Sequence, residues 1–480
     1  MSRINTNVSA LISARVLNSN TTDQNQSLQR LSTGLRINRG SDDPAGLIAS
    51  ENLRKQIAGN SSAIKNAERA INIVGTAEGA LNEVSAMLLD LQGLLSEAAN
   101  SGGLSSEEVD ANQLQVDSIL NSITRISNTT EFQGIKLLNG GQAYTTSGVS
   151  DTVIADLNVN AAKLIDGATM TVAVNTVDSA ETGLMYLSGS VSTDQISLQV
   201  GSNRGTTELT FAAGTTVANQ ATAINAVSEV TGVSAVTSGT LVILRSKDFG
   251  TDAYVSVKIL GDGNQQTAYK VKTAVSGGST DDAQIAGRDY SATVNGTSAT
   301  GDGKKISIRT EMLDAEIDLT NGAGLSTATE TFYITGGGAD FALGASVTAQ
   351  GLESIGIQNV ATTSLGNSTD GYLNTLKSGG TNSLSSGNLY TAQEIVDSAI
   401  KDVSTLRGRL GSFQKNTLEV TINSLQVTGE NLSSAESAIR DTDYATEISK
   451  LTRSQILVQT ATNVLAQANY APQSVLSLLG

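Results

Sequence analysis

The residues best placed to do chemistry lie in four short stretches. GDGNQQ (Gly261 to Gln266), GDGKK (Gly301 to Lys305) and GGGAD (Gly336 to Asp340) have the glycine and carboxylate content of phosphate-cradling or calcium-binding loops. Asp42 and Asp43 could form a metal-binding pair. A phosphate loop ends in Gly-Lys-Ser/Thr, so that backbone amides and a lysine converge on the anion, and a calcium loop needs an ordered series of oxygen ligands. None of the three stretches has either pattern, so each reads as a turn between strands. Asp43 directly precedes Pro44, the arrangement of an N-cap followed by proline at the first helical position. Capping is therefore the expected role of that pair.

Composition narrows the chemistry further. The chain has 480 residues and neither histidine nor cysteine. That removes cysteine nucleophiles, Ser-His-Asp triads, histidine zinc sites, the two-histidine metalloprotease motif and any disulfide framework. No catalytic, cofactor-binding or metal-binding residue is assigned, and the chain is expected not to be an enzyme. The formal net charge of −16 argues against nucleic acid and anionic membranes as partners. The N-terminal residues lack the apolar core and cleavage site of a secretory signal. The uncharged run from Ser454 to Gly480 is broken by Gln, Thr, Asn and Pro472, so it is no membrane span. These signals alone describe a cytosolic chain.

The elements that must position any site show two periods. Met1, Ile4, Val8 and Leu11 open a helical stretch, and Leu457, Ala461, Val464, Ala468, Ala471, Val475 and Leu478 close the chain at alternating steps of four and three. The most regular stripe runs Ala63, Ala67, Ala70, Val74, Ala77, Leu81, Val84, Leu88, Leu91, Leu95, Ala98, a length of about 50 Å as helix. Ser105 and Glu108 read as a capping box before a further helix. Val396, Ala399, Val403, Leu406, Leu410, Phe413 and Val420 form another stripe. Between about 141 and 389 the pattern changes to alternating or β-branched runs such as TMTVAV, TLVILRS, YVSVKIL and KISIRT, separated by turn residues.

The expected fold is therefore α+β: a long antiparallel helical bundle or coiled coil built from both chain ends, with β-rich domains inserted between them. Residues 41–140 with 390–440 would make an antiparallel helical rod, and the terminal segments 1–40 and 441–480 would pair beyond it. Residues 141–389 form a β-rich surface region of two small domains, one inserted at about 186–277. Two such helices cannot hide every apolar residue, and the remainder needs other copies of the chain.

Several long stretches resemble bacterial flagellin. They are INTNVSAL, QRLSTGLRINRGSDDPAGLIASENLR, AINIVGTAEGALNEV and FQGIKLLNG near the start, and LSSAESAIRDTDYATEISKLTRSQILVQTATNVLAQAN and PQSVLSLL at the end. INAVSEVTGVSAV followed by TLVILRSKDFGTDAYVSV is similar to the IN motif of some flagellins and hook-associated proteins. The resemblance implies an extracellular homopolymer, the flagellar filament, exported through the flagellar type III apparatus without a cleaved signal. This reverses the cytosolic reading. It implies an export chaperone, the filament cap and hook-associated proteins as partners. Ile4, Val8, Leu11, Leu457, Ala461, Val464, Ala468, Val475 and Leu478 would pack the filament core. Val74, Leu81, Val84, Leu88, Leu91, Leu95, Leu406, Leu410 and Phe413 would form the seam of the outer helical shell. A hook–filament junction protein is the alternative within the same architecture.

Many flagellins are recognised by a vertebrate toll-like receptor through the outer-shell helix. Leu94 keeps the family leucine of that motif, but Asp90 stands where recognised proteins carry arginine and Gln115 where they carry glutamate. Charge reversal at a contact loses one pair and adds a repulsion, so weak or absent recognition is expected.

Overall fold

The computed structural model describes residues 6–100, 103–164, 168–188, 191, 195–261, 270–272, 279–280, 282–320 and 329–476. Helix α1 (Val8–Thr33) starts at Asn7, whose side chain accepts the Ala10 amide, and stops at Gly34, whose φ of 75° only glycine adopts cheaply. Helix α2 (Pro44–Ala98) runs for 55 residues, and the Asp43 carboxylate accepts the Gly46 amide at 2.9 Å, so Asp43 caps it. The Asp42 carboxylate takes the Asn38 and Arg39 amides at 3.0 and 2.9 Å, which holds it below the usual carboxylate range. Helix α3 (Ser106–Thr129) begins with the reciprocal Ser105–Glu108 capping box. A short hairpin, Glu131–Phe132 with Ile135–Lys136, turns through Gln133 and Gly134, both at positive φ.

The β-rich middle holds two sandwich-like cores. The first joins a five-stranded sheet, with spatial order Thr297–Ser298, Ser291–Val294, Met170–Asp178, Thr329–Gly337, Tyr144–Ser147, to a four-stranded one, Thr300–Asp302, Lys305–Arg309, Leu313–Leu319, Ile154–Ala162. Their pairings are antiparallel. Alternate residues such as Val172, Val174, Ile306, Ile317 and Phe332 meet between them. The second core lies within residues 184–286, the inserted module. It pairs a five-stranded sheet centred on Leu184–Ser188 and Leu241–Ser246 with a four-stranded one centred on Tyr254–Gly261 and Ile196–Gly201. Helix α4 (Val217–Ala226) contributes Ala221 and Ile224 to this core, and a single turn, α5 (Ser228–Thr231), follows. The chain returns through α6 (Leu389–Ser412), a π-helical turn Phe413–Leu418, α7 (Glu419–Arg440) and α8 (Tyr444–Leu476). Long helices at both ends and β-rich domains between them make the fold α+β.

The chain divides into two compact units. One comprises residues 1–70, 342–351 and 415–480, the other 71–341 and 352–414. In the first, the start of α2 runs antiparallel to α7: Asn60 Nδ2 donates to the Leu425 carbonyl at 2.5 Å, and Arg440 meets Glu51 at 3.0 Å. Gly59 lies against the Ala345 carbonyl, where a β-carbon would collide. In the second, Val74, Leu81, Val84, Leu88, Leu91 and Leu95 of α2 are buried, as are Val116, Leu120 and Ile123 of α3 and Val403, Leu406 and Leu410 of α6. Gln92 donates to Asp397 at 3.0 Å, setting α2 beside α6.

The stripe of α6 does not continue as its spacing suggests. Phe413 is half-buried, its ring 6.0 Å from that of Phe341, and Val420 is exposed, whereas Leu418 is fully buried. The wider π turn inserts residues between one buried leucine and the next, so the stripe passes from Leu410 to Leu418. Replacing Leu88 by alanine removes a fully buried side chain in the long seam. It should lower the unfolding free energy by about 2–5 kcal/mol, read by chemical denaturation of the full chain.

Candidate functional site

The two chain ends form an antiparallel helical hairpin within one unit. Asn7 Nδ2 donates to the Ala468 carbonyl at 2.8 Å near one end of α1 and α8. At the other, Ser27 Oγ donates to Glu447 Oε1 at 2.8 Å, and Arg30 stands 3.7 Å from the same oxygen. Lys450 reaches Glu447 Oε2 at 3.3 Å. Beyond the helices, the Arg36 amide and guanidinium hold the Arg440 and Ile439 carbonyls, and the Thr442 amide donates to Gly34. Glu447 is thus a buried carboxylate whose partners all lie on α1 or one turn along α8. A misregistered pairing would take Ser27 and Arg30 away from Oε1 and leave the buried carboxylate with Lys450 alone.

The faces that meet are not the most apolar ones. Ala10, Ser13, Leu17, Gln24 and Ser27 of α1 lose exposure together with Leu451, Ser454, Val458, Ala461, Leu465 and Ala468 of α8. These are mostly small or polar residues, which let the two backbones approach. The side chains of Val8, Leu11, Ile12 and Val16 on α1, and of Leu457 and Val464 on α8, remain between 44% and 64% exposed. Of the residues expected to pack together at the two ends, the hairpin therefore buries Ala461 and half-buries Ala468, and leaves Val8, Leu11, Leu457 and Val464 facing outward. Ile4 and Leu478 lie outside the described residues, as does the side chain of Val475. Ile12, Val16, Leu457 and Val464 line a groove of about 280 Å³ floored by Ala461. The spacing singles out Ala461 and Ala468 of the inner face but not Ala10, Ser13, Ser27 or Ser454, because it follows hydrophobicity. The signal was the Ala/Ser positions at helical spacing beside it.

A second concavity, about 460 Å³, lies between α6 and the first sandwich. Its charged lining is Asp156, Lys305, Glu316, Asp318, Lys401, Asp402 and Arg409. Burial pushes the Asp402 carboxyl up to about 6, against the Gly366 amide and Lys305, which favour its charged form. Burial also raises Asp318. Burial disfavours the Lys305 ammonium, but the ion pair to Glu316 at 2.5 Å outweighs it and the net shift is upward. Arg409 donates to Asn160 Oδ1 and to the Gly356 carbonyl. Lys305 and Arg409 are each taken up by neighbouring acceptors. Among the described residues no three carboxylates converge closely enough to hold a metal ion.

The glycine-rich stretches sit in the β scaffold. GDGKK is a hairpin between Thr300–Asp302 and Lys305–Arg309 with Gly303 at positive φ, and GGGAD turns through Gly337 and Gly338, both at φ 85°. GDGNQQ lies outside the described residues beyond Gly261. Asp90 on α2 and Gln115 on α3 are exposed, and Leu94 is half-buried. No helix among the described residues is long and apolar enough to cross a membrane.

Two family models match the ends of the chain: the bacterial flagellin N-terminal helical region over residues 4–143, and the bacterial flagellin C-terminal helical region over residues 393–479. A flagellin of Clostridium tyrobutyricum is 30% identical over 472 residues, covering 98% of this chain and all of that protein. A flagellin of Salmonella typhimurium strain LT2 is 29% identical over 521 residues, covering 99% of both. Flagellin B of Vibrio cholerae El Tor Inaba N16961 is 29% identical over 477 residues with the same coverage. With both helical ends matched and relatives aligned along its whole length, the chain belongs to the bacterial flagellin family, whose members polymerise into the flagellar filament.

Proposed function

We propose that this chain is a filament subunit whose terminal hairpin, residues 1–40 with 441–480, packs the inner tube. Residues 41–140 and 390–440 make the surrounding shell, and 141–389 face solvent. The observation that carries this reading is the outward apolar stripe of Val8, Leu11, Ile12, Val16, Leu457 and Val464, which the chain does not bury on itself. Such a stripe on a polymerising protein is covered by the next copy. The region 184–286, where a helix precedes strands at Val233–Ser238 and Leu241–Ser246, supports the IN-motif assignment. Export without a cleaved signal, a chaperone over the C-terminal segment and growth beneath a cap accompany this role. We read the polar cavity beside α6 as part of the scaffold of a non-enzymatic structural protein, a reading supported by the family match.

Seeded assembly tests the reading. Full-length chain should extend filament fragments, and a version trimmed to residues 41–449 should not. Leu457→Asp should slow extension by roughly 100-fold or more, since it buries a charge where apolar surface is needed. Its far-UV circular dichroism should match the parent. Assembly of the trimmed chain at the parent rate would overturn the proposal.

The cavity makes a prediction about pH. Asp402 holds its proton to about 6 in the folded chain, against about 4 for an ordinary aspartate. The folded state therefore binds more protons in that window, and the stability this group contributes is lost as pH rises from about 4 through about 6. Asp402→Asn should be more stable than the parent by about 1–2 kcal/mol at neutral pH, a gain that vanishes below about pH 4 in paired denaturation curves.

We infer weak recognition by the vertebrate toll-like receptor from Asp90 and Gln115. Restoring the family residues with Asp90→Arg and Gln115→Glu should raise the response in a receptor reporter assay by about tenfold. A parent response already equal to that of a strongly recognised flagellin would refute it.

A further inference from the structure

The inserted module, residues 184–286, has its own core and meets the rest of its unit at a neck. At the neck Phe249 packs against the first core with Lys304 Nζ 5.4 Å from its ring centroid, and the Thr251 amide and hydroxyl donate to the Asp289 carboxylate at 3.0 and 2.7 Å. There the Glu181 and Arg288 backbones exchange two hydrogen bonds, at 2.8 and 3.0 Å, and the Gly287 amide donates to Ala253 at 2.7 Å. A module held at one end still pivots about that end unless a second contact fixes it. Far from the neck in sequence, at the tip of the Ile196–Gly201/Thr206–Phe211 hairpin, stands Arg204. Its Nε and Nη2 donate to the two carboxylate oxygens of Asp248 at 2.9 and 2.8 Å. Nη1 points out of the module and donates to Glu394 Oε1 at 2.7 Å and to the Tyr390 hydroxyl at 2.5 Å, both on α6. The guanidinium also lies 5.8 Å from the centroid of the Tyr390 ring.

We propose that Arg204 is a latch that holds the inserted module against the first turns of α6, adding to the neck a second point of fixation that limits pivoting.

The module is built to present this side chain. Ser202 Oγ donates to the Thr231 carbonyl at 2.6 Å and accepts the Arg204 amide at 3.2 Å, which sets the hairpin tip. Gly232 leaves the space that the Arg204 stem occupies, since a β-carbon there would lie 2.9 Å from Arg204 Cδ. Asp248 orients the planar guanidinium bidentately, so Nη1 is aimed before it meets α6. Among the described residues, the polar contacts from the module to α6 converge on Arg204. A lysine at this position could not serve both carboxylates in one geometry. Because the pairs are partly exposed, added salt weakens the latch.

The inference concerns a single chain and its test needs no filament. The chain has no cysteine, so exposed Thr222 and Ser404 can be changed to cysteine and spin-labelled, one on the module and one on α6. Double electron–electron resonance on the full-length chain should give one narrow distance distribution. Arg204→Ala should broaden it roughly twofold, and so should Tyr390→Phe with Glu394→Gln, which leaves the module's own Arg204–Asp248 pair intact. Thermal melting verifies that each variant is folded. A distribution as narrow as the parent's in the Tyr390/Glu394 variant overturns the latch, including the case in which Arg204→Ala alone broadens it, since Arg204 would then act only within the module.

Discussion

A helix with an apolar stripe must cover it, and neither end of this chain can do so alone. The rest of the structure depends on that constraint. Asn7 and Ala468 are hydrogen-bonded across 461 residues of sequence, so everything between them is a loop closed by the terminal pairing. The entropy of closing so long a loop grows only slowly with its length, which is why a large and elaborate β region can be inserted without penalising the pairing severely. The same logic recurs nearer the middle, where α2 lies beside α7 in one unit and beside α6 in the other.

The terminal hairpin divides its surfaces by purpose. Small residues such as Ala10, Ser13, Ser454 and Ala461 meet inside one chain, while Val8, Leu11, Ile12, Val16, Leu457 and Val464 are left outside. A hairpin that used its most apolar stripe on itself would be a better monomer and a poorer building block. Glu447 supplies what hydrophobic burial lacks, which is a unique register: its Oε1 is satisfied only where Ser27 and Arg30 arrive together. Arg204 plays a comparable role elsewhere, with one guanidinium aligning separate elements through directional contacts.

Much of this architecture was legible in the residues. The 4-3 stripe from Ala63 to Ala98 is buried throughout, Asp43 caps α2 beside Pro44, and Ser105 with Glu108 forms the capping box. Such features are local, set within a turn or two by hydrogen bonds and by which side a residue faces. Beyond Leu410 the spacing points to Phe413 and Val420, but a π turn changes the residues per turn and buries Leu418 instead, and nothing in FQKNTL announces it. The outward direction of Val8 and Leu457 was equally hidden, since periodicity shows that a stripe exists and not which partner covers it.

The sequence by itself determined the classes of element, their order and the absence of histidine and cysteine chemistry, because these follow from residue type and short-range spacing. It also carried the family, through long ordered motifs at both ends. Only the tertiary structure decided which strands pair, how α1 registers on α8, that Asp402 holds its proton near Lys305, and that Arg204 reaches Glu394 from 190 residues away. Those outcomes depend on distances between residues remote in the chain. Such distances are set by the competition of whole surfaces for burial, and no local pattern encodes it.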